Sequence, residues 1–218
     1  MVVEKPAGVQ VHTPEAMSAR GEVLFRNNAQ RILKAQLGRW VYPVHRLDRS
    51  TSGVLLFALD PEMARDLQSL FQKKEIKKTY LALVRGWLED DSIIDSPLDE
   101  KDALTHYSTL SRFEIPVSVG QHPTSRYSLM EVSPITGRFH QIRRHFKHLS
   151  HPLIGDSVYG DGRHNRIWKE LCPGAKLFLK SYRIEFVHPR TKVKISCHSR
   201  FGNTWLRLFD QIGTCPLI

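Results

Sequence analysis

His45-Arg46-Leu47-Asp48-Arg49-Ser50-Thr51-Ser52-Gly53 runs straight into the apolar stretch 54–59, and this junction constrains the chain more than any other. One carboxylate stands between two arginines, small polar residues make a turn, and a strand begins. A turn anchored by a buried strand holds a charged side chain at a fixed place. Taken alone, an aspartate among basic residues reads as a solvated ion pair, which contributes little. Asp48 becomes a reactive group only if other features of the chain lift it out of that default.

The surrounding pattern is that of an α+β protein. Val2 and Val3 predict a strand, followed by the turn Lys5-Pro6-Ala7-Gly8 and a return strand through Val11 and His12. The spacing of Val23, Leu24, Ala29, Ile32, Leu33 and Leu37 predicts a helix over 22–37. Asp60-Pro61 is a helix start, with Met63, Ala64, Leu67, Leu70 and Phe71 forming one apolar stripe behind it. The stretch 77–86 reads as a strand closed by Gly86, and the acidic 88–103 with Pro97 reads as a loop. Strands are expected at 104–114, 125–132, 178–186 and 193–198, and helices at 139–150 and 203–211. Strands outnumber helices and do not alternate regularly with them, which favours α+β over a doubly wound parallel sheet. With no internal repeat and no low-complexity linker, 1–218 is read as a single domain. The chain opens inside a strand-like pattern, so a strand upstream of it is expected.

Three widely spaced cysteines, Cys172, Cys197 and Cys215, argue for free thiols in a reducing compartment. No apolar run is long enough to span a bilayer, and the opening residues carry no secretory signal pattern. A cytoplasmic protein is therefore expected, with no membrane partner. The charge is localised. Residues 136–200 hold fourteen lysines and arginines against four acids, an excess equal to the whole chain's net charge of +10. Such a surface recruits polyanions, with nucleic acid the first candidate and an anionic membrane the second. A solvated basic face without a partner stays open as a reading, because charge alone names no ligand.

His145, His148 and His151 fall at three-residue steps, which invites a metal reading, yet 136–150 contains no thiol or carboxylate to complete a site. No metal is expected. Ser50 and Ser52 lack a G-x-S-x-G elbow, and no Walker A or GxGxxG cradle is present.

Four stretches together carry a resemblance. HRLDRSTSG at 45–53 resembles the catalytic motif of the RluA-type pseudouridine synthases. Lys5-Pro6-Ala7-Gly8 with Val11-His12 is similar to that family's upstream motif, and KTYLALVRG at 78–86 to its tyrosine strand. Residues 136–143 followed by His151-Pro152-Leu153-Ile154-Gly155-Asp156 resemble its third motif. The motifs stand in the family's order from residue 5 to about 160. Thr105-His106-Tyr107, the doubled arginine after His140, and the stretch 160–166 narrow the resemblance to members that modify tRNA at uridine 65, in the T stem.

The resemblance implies a bent, mainly antiparallel mixed sheet with flanking helices and a central active-site cleft, no separate RNA-binding domain, no metal and no organic cofactor. It implies a monomer acting on tRNA. By residue, Asp48 matches the catalytic aspartate, Tyr80 the active-site tyrosine and Arg143 the motif-three arginine, expected as the partner that keeps Asp48 ionised. Arg46 matches the side chain that fills the space a flipped base leaves. Lys5, Arg49, Arg138, His140 and Arg144 are the further expected RNA contacts. A sibling acting on ribosomal RNA or another tRNA position, or a non-catalytic RNA-binding protein, are the alternative readings. Within the family the loop at 95–105 is short.

Overall fold

The computed structural model describes residues 1–12 and 28–213. Among these the chain forms nine strands and five helices, in two compact units. The first comprises Met1–Lys78 and Ser181–Ser199, the second Thr79–Lys180 and the residues from Arg200 on. No helix among the described residues is long and apolar enough to cross a membrane.

In the first unit, strand β3 (Ser52–Ala58) is the spine, buried at all but its first residue. Antiparallel partners lie along it: β1 (Val2–Lys5), with Val3 opposite Leu55 and Lys5 opposite Gly53, and the short β2 (Tyr42–Pro43). Gly53 has a structural reason to be glycine. Its φ is +114°, and a Cβ there would lie 2.1 Å from the Ser181 carbonyl oxygen. Helix α1 (Ala29–Leu37) is capped by the Asn28 side chain and ends at left-handed Gly38. The first six residues of the helix expected over 22–37 lie outside the described residues. Helix α2 (Pro61–Gln72) begins as the sequence predicts, with the Asp60 side chain accepting from the Met63 amide and Pro61 in the first turn. Ala64 and Leu67 of α2 join Val54, Leu56 and Ala58 of β3, with Ile184 and Phe186, in one apolar core. Val187 pairs with Lys194 where β8 (Leu179–Val187) turns into β9 (Lys194–His198).

In the second unit, β4 (Lys77–Arg85, from Thr79 on) pairs antiparallel with β7 (Ser125–Pro134), β7 with β6 (Leu104–Ile115), and β6 with β5 (Asp91–Asp95). Strand β5 corrects the loop expected at 88–103. Acids begin and end it, and of its two isoleucines only Ile94 is buried while Ile93 is 54% exposed, so the apolar pattern is nearly silent. Helix α3 (Gln141–His148) is shorter than the expected 139–150, because His140 takes a left-handed φ of 52°. Helix α4 (Gly162–Leu171), capped by Asp161, is not among the expected elements. Only His164 and Trp168 of α4 are buried, too few apolar positions to show a period. Trp168 packs edge-on against Tyr127 at 5.2 Å and against Phe178 at 5.6 Å, and Phe178 continues the chain to Trp205 of α5 (Asn203–Ile212) at 5.7 Å. Such offset aromatic contacts each add to ordinary apolar burial. The architecture is α+β with mainly antiparallel strand pairing, as the sequence leads one to expect.

Candidate active site

The turn that carries Asp48 is closed by a hydrogen bond from the Thr51 amide to the Asp48 carbonyl, 3.1 Å. Leu47 beside it is buried and the Asp48 side chain half-buried. The upstream 5–9 loop packs on this turn: the Gly8 amide donates to the Arg49 carbonyl (2.7 Å), and Arg49 Nε donates to the Gly8 carbonyl (3.0 Å).

Lys5 joins the two segments. Its side chain is 1% exposed. Its ammonium donates to the carbonyls of Pro6 (3.1 Å), Val9 (2.9 Å) and Arg49 (3.3 Å). Burial lowers its pKa to about 8, while attraction to the Asp48 carboxylate works in the opposite sense. Expected from the sequence as an RNA contact, Lys5 instead spends its three donors inside the protein, tying the loop to the Asp48 turn.

His45 opens the motif as a structural residue. Its Nε2 accepts from the Leu56 amide at 3.0 Å, and its ring stacks on Phe71 at 4.9 Å. Burial, with a smaller contribution from Lys78, lowers its pKa to about 3. The unfolded chain binds a proton near pH 6.5 and the folded chain does not. His45 therefore favours the folded state above about pH 6.5, and that contribution is lost as pH falls from there towards 3. An NMR titration of the histidine rings is expected to show His45 neutral from pH 8 down to 5, with no inflection. A His45 inflection near 6.5 would contradict the bond to Leu56.

The second unit holds Tyr80 and Arg143. Tyr80 is 8% exposed on β4, opposite Val132 of β7. Arg143, on α3, is 4% exposed and forks onto Asp156, with Nε to Oδ2 at 2.7 Å and Nη2 to Oδ1 at 2.8 Å. Asp156 Oδ1 also accepts from the amides of Val158 (2.9 Å) and Tyr159 (3.0 Å). Burial works to raise the Asp156 pKa, but the Arg143 hydrogen bonds and the two amides outweigh it and leave it lowered. The turn supplying Asp156 is held in place by Asn165, which accepts from the Gly155 amide at 2.7 Å and donates to the Asp156 carbonyl at 2.8 Å.

Gln141 fixes the turn before α3. Its Oε1 accepts from Thr136 Oγ1 (2.7 Å) and the Arg138 amide (2.9 Å), and its Nε2 donates to the Leu104 carbonyl (3.0 Å) and Thr105 Oγ1 (2.9 Å). All four hydrogen-bonding positions of a buried amide are thereby used. Asp156 and Gln141 are the supporting residues that sequence reasoning left without a role. Their signal lay in the matched third motif, but what they hold is visible only in three dimensions.

Of the expected RNA contacts, Arg46 and Arg138 are exposed, and Arg138 Nε donates to the Asp102 carbonyl at 2.9 Å. Arg49 is exposed and engaged by Gly8, as above. Arg144 forks onto Asp99 with two contacts of 2.8 Å. His140 is half-buried, its Nδ1 3.2 Å from the Tyr159 hydroxyl. Two of the three histidines that suggested a metal are engaged by backbone: His145 Nε2 lies 3.0 Å from the Ser96 carbonyl and His151 Nδ1 lies 2.7 Å from that of Arg85. Among the described residues no three metal-ligating side chains cluster.

Over residues 1–148 the chain matches the family model described as RNA pseudouridylate synthase. It is 39% identical over 227 residues to tRNA pseudouridine synthase C of Vibrio vulnificus (strain CMCP6), a match covering 97% of this chain and 91% of that protein. It is 41% identical to tRNA pseudouridine synthase C of Haemophilus ducreyi (strain 35000HP / ATCC 700724), covering 98% of this chain and 92% of the relative. Among solved structures, Human RNA Pseudouridylate Synthase Domain Containing 4 is similar with a TM-score of 0.71 at 20% identity, over 97% of this chain and 89% of the other. Human RNA Pseudouridylate Synthase Domain Containing 1 gives 0.68 at 22% identity, over 92% and 79%. At those identities the two structures speak for the fold. The extended match of sequence carries the further step: this chain belongs to the RNA pseudouridylate synthase family.

Proposed function

We propose that this protein isomerises a uridine of tRNA, at position 65 in the T stem, to pseudouridine, with Asp48 as the essential carboxylate. The observation that carries the reading is the match along nearly the whole chain, at about two residues in five, to relatives named tRNA pseudouridine synthase C. The Asp48 turn and the 5–9 loop beneath it support it as a rigid mount for a reacting group.

The reaction breaks the N1–C1′ glycosidic bond and makes a C5–C1′ bond; C5 gives up its proton and N1 takes one. No electrons are gained or lost overall, and the reading requires neither metal nor organic cofactor. A carboxylate serves this chemistry by attacking the sugar, by attacking the base, or by assisting a glycal route, and glycosidases set the precedent for the first. A base paired in a stem must first leave the stack. Arg46 is assigned to fill the space it leaves and Tyr80 to stack on the extruded base, its phenol being suited to take the C5 proton. Arg143, held by Asp156, takes the motif-three role, while the exposed arginines Arg49 and Arg138, with His140 and Arg144, contact the RNA. The protein is proposed to work as a cytoplasmic monomer.

The test is to map pseudouridines in tRNA and ribosomal RNA from cells with and without this protein, and in tRNA transcripts treated with it. A single T-stem site that depends on the protein is the expected result. A protein-dependent site in ribosomal RNA, with tRNA unchanged, would overturn the choice of substrate.

A further inference from the structure

Phe139 is an aromatic side chain left 59% exposed on a strongly basic segment. A ring placed so on the surface forgoes the gain from burial, and here the surrounding structure holds it in position. Its ring stacks on that of His140, with centroids 3.7 Å apart and planes inclined by 23°. His140 takes a φ of 52°, a left-handed conformation that is strained for a non-glycine residue and persists only where its surroundings impose it. Those surroundings are Tyr159, whose ring meets the imidazole edge-on at 5.6 Å and whose hydroxyl lies 3.2 Å from Nδ1. Tyr159 in turn lies under the Arg143 guanidinium, 5.1 Å from its ring centroid, and its amide is fixed by Asp156. A ladder of rings thus runs from the buried Arg143–Asp156 pair out to Phe139. One face of Phe139 is covered by His140, and the side chain as a whole stays largely exposed. The exposed cation Arg138 adjoins it in the chain.

We infer that Phe139 is a stacking platform for an unpaired base of the substrate RNA, distinct from the uridine that reacts. An exposed ring rigidly mounted beside arginine is the arrangement by which proteins hold unstacked bases: every base has a π face, and the neighbouring cation meets the backbone. The occupant is RNA rather than an apolar protein segment because the ring belongs to the stretch of sequence, residues 136–200, that carries the chain's excess of basic charge, with the exposed Arg138 next to it. Removing a base from a duplex leaves its neighbours without a stacking partner, and an exposed ring compensates one of them.

This inference rests on the proposed RNA substrate, and the test separates the two. Binding of a tRNA transcript and its kcat/KM for pseudouridine formation are measured for the wild type, Phe139→Ala, Phe139→Leu and Phe139→Tyr, with thermal unfolding of each. Loss of one base–aromatic stack is expected to weaken tRNA binding roughly 5- to 100-fold in the Ala and Leu variants. Phe139→Tyr should keep wild-type affinity, and all three should melt with the wild type, since the ring is exposed. Wild-type affinity in Phe139→Ala, or an equal loss in Phe139→Tyr, would overturn the inference. A wild-type protein that binds tRNA but forms no pseudouridine would overturn the enzymatic reading instead, and the same binding series would still decide the role of Phe139.

Discussion

Asp48→Asn is expected to abolish pseudouridine formation while leaving tRNA affinity within a few fold of the wild type. The substitution keeps the size of the side chain and the turn that the Asp48 carbonyl closes with the Thr51 amide, so the mount survives. What it removes is the carboxylate, and each chemical route available to this reaction uses one. Its other consequence is local: the buried Lys5 ammonium loses an attractive neighbour, so a modest loss of stability is expected alongside. Release of C5 tritium from labelled tRNA measures turnover, and filter binding measures affinity. Retained turnover in Asp48→Asn would sink the mechanism. A parallel loss of binding would mean that the residue serves recognition. A pure RNA-binding protein would have no need of this carboxylate, so the variant also separates an enzyme from a binder.

Asp156→Asn should be the most destabilising of the substitutions considered. The Asp156 side chain is fully buried, that of Arg143 5% exposed, and each satisfies the other in a fork. Removing one partner of such a pair leaves a buried charge uncompensated, at about 3–5 kcal/mol. For a chain of this size that lowers the melting temperature by roughly 6–20 °C. The pH dependence has a definite sign. The Asp156 pKa is lowered from its ordinary 3.8, so in acid the unfolded chain binds the proton more readily than the folded one. The contribution is complete above the unfolded value and is lost as pH falls through the folded value. Asp156→Asn should therefore unfold with a shallower acid dependence than the wild type. A second variant separates stability from function. Arg143→Met combined with Asp156→Leu replaces the pair by apolar groups of similar volume, which is often neutral or stabilising. It should recover part of the lost stability, since the Val158 and Tyr159 amides still lose the acceptor that Asp156 gave them, and none of the activity. Recovery of turnover would remove Arg143 from the machinery. Lys194→Ala, an exposed change on β9, should alter neither quantity appreciably.

Local chemistry made several elements legible. Asp60-Pro61 specified the start of α2 because an N-cap and a fixed φ act within four residues. The unbroken apolar run after Gly53 specified β3 because a strand buried on both faces needs no alternation. Where local signals were weak, tertiary contacts decided. Strand β5 exists because β6 supplies an edge to pair with, and α4 exists because Trp168 and His164 find Tyr127. Helix α3 starts late because His140 takes a left-handed φ, its ring lying edge-on to Tyr159.

The motif residues follow the same division. Sequence alone determined which residues were candidates: the order of the four motifs singled out Asp48, Tyr80 and Arg143 and pointed to RNA through the placement of charge. The direction of each charge was decided by tertiary structure. Lys5 and Arg144 look alike in a list of basic residues, yet one is sealed against three backbone carbonyls and the other lies half-buried on Asp99. The partner that fixes Arg143, thirteen residues away, was likewise named only by the fold. The physical reason is that a charge is a property of a residue, whereas its desolvation and its partner are properties of the space around it.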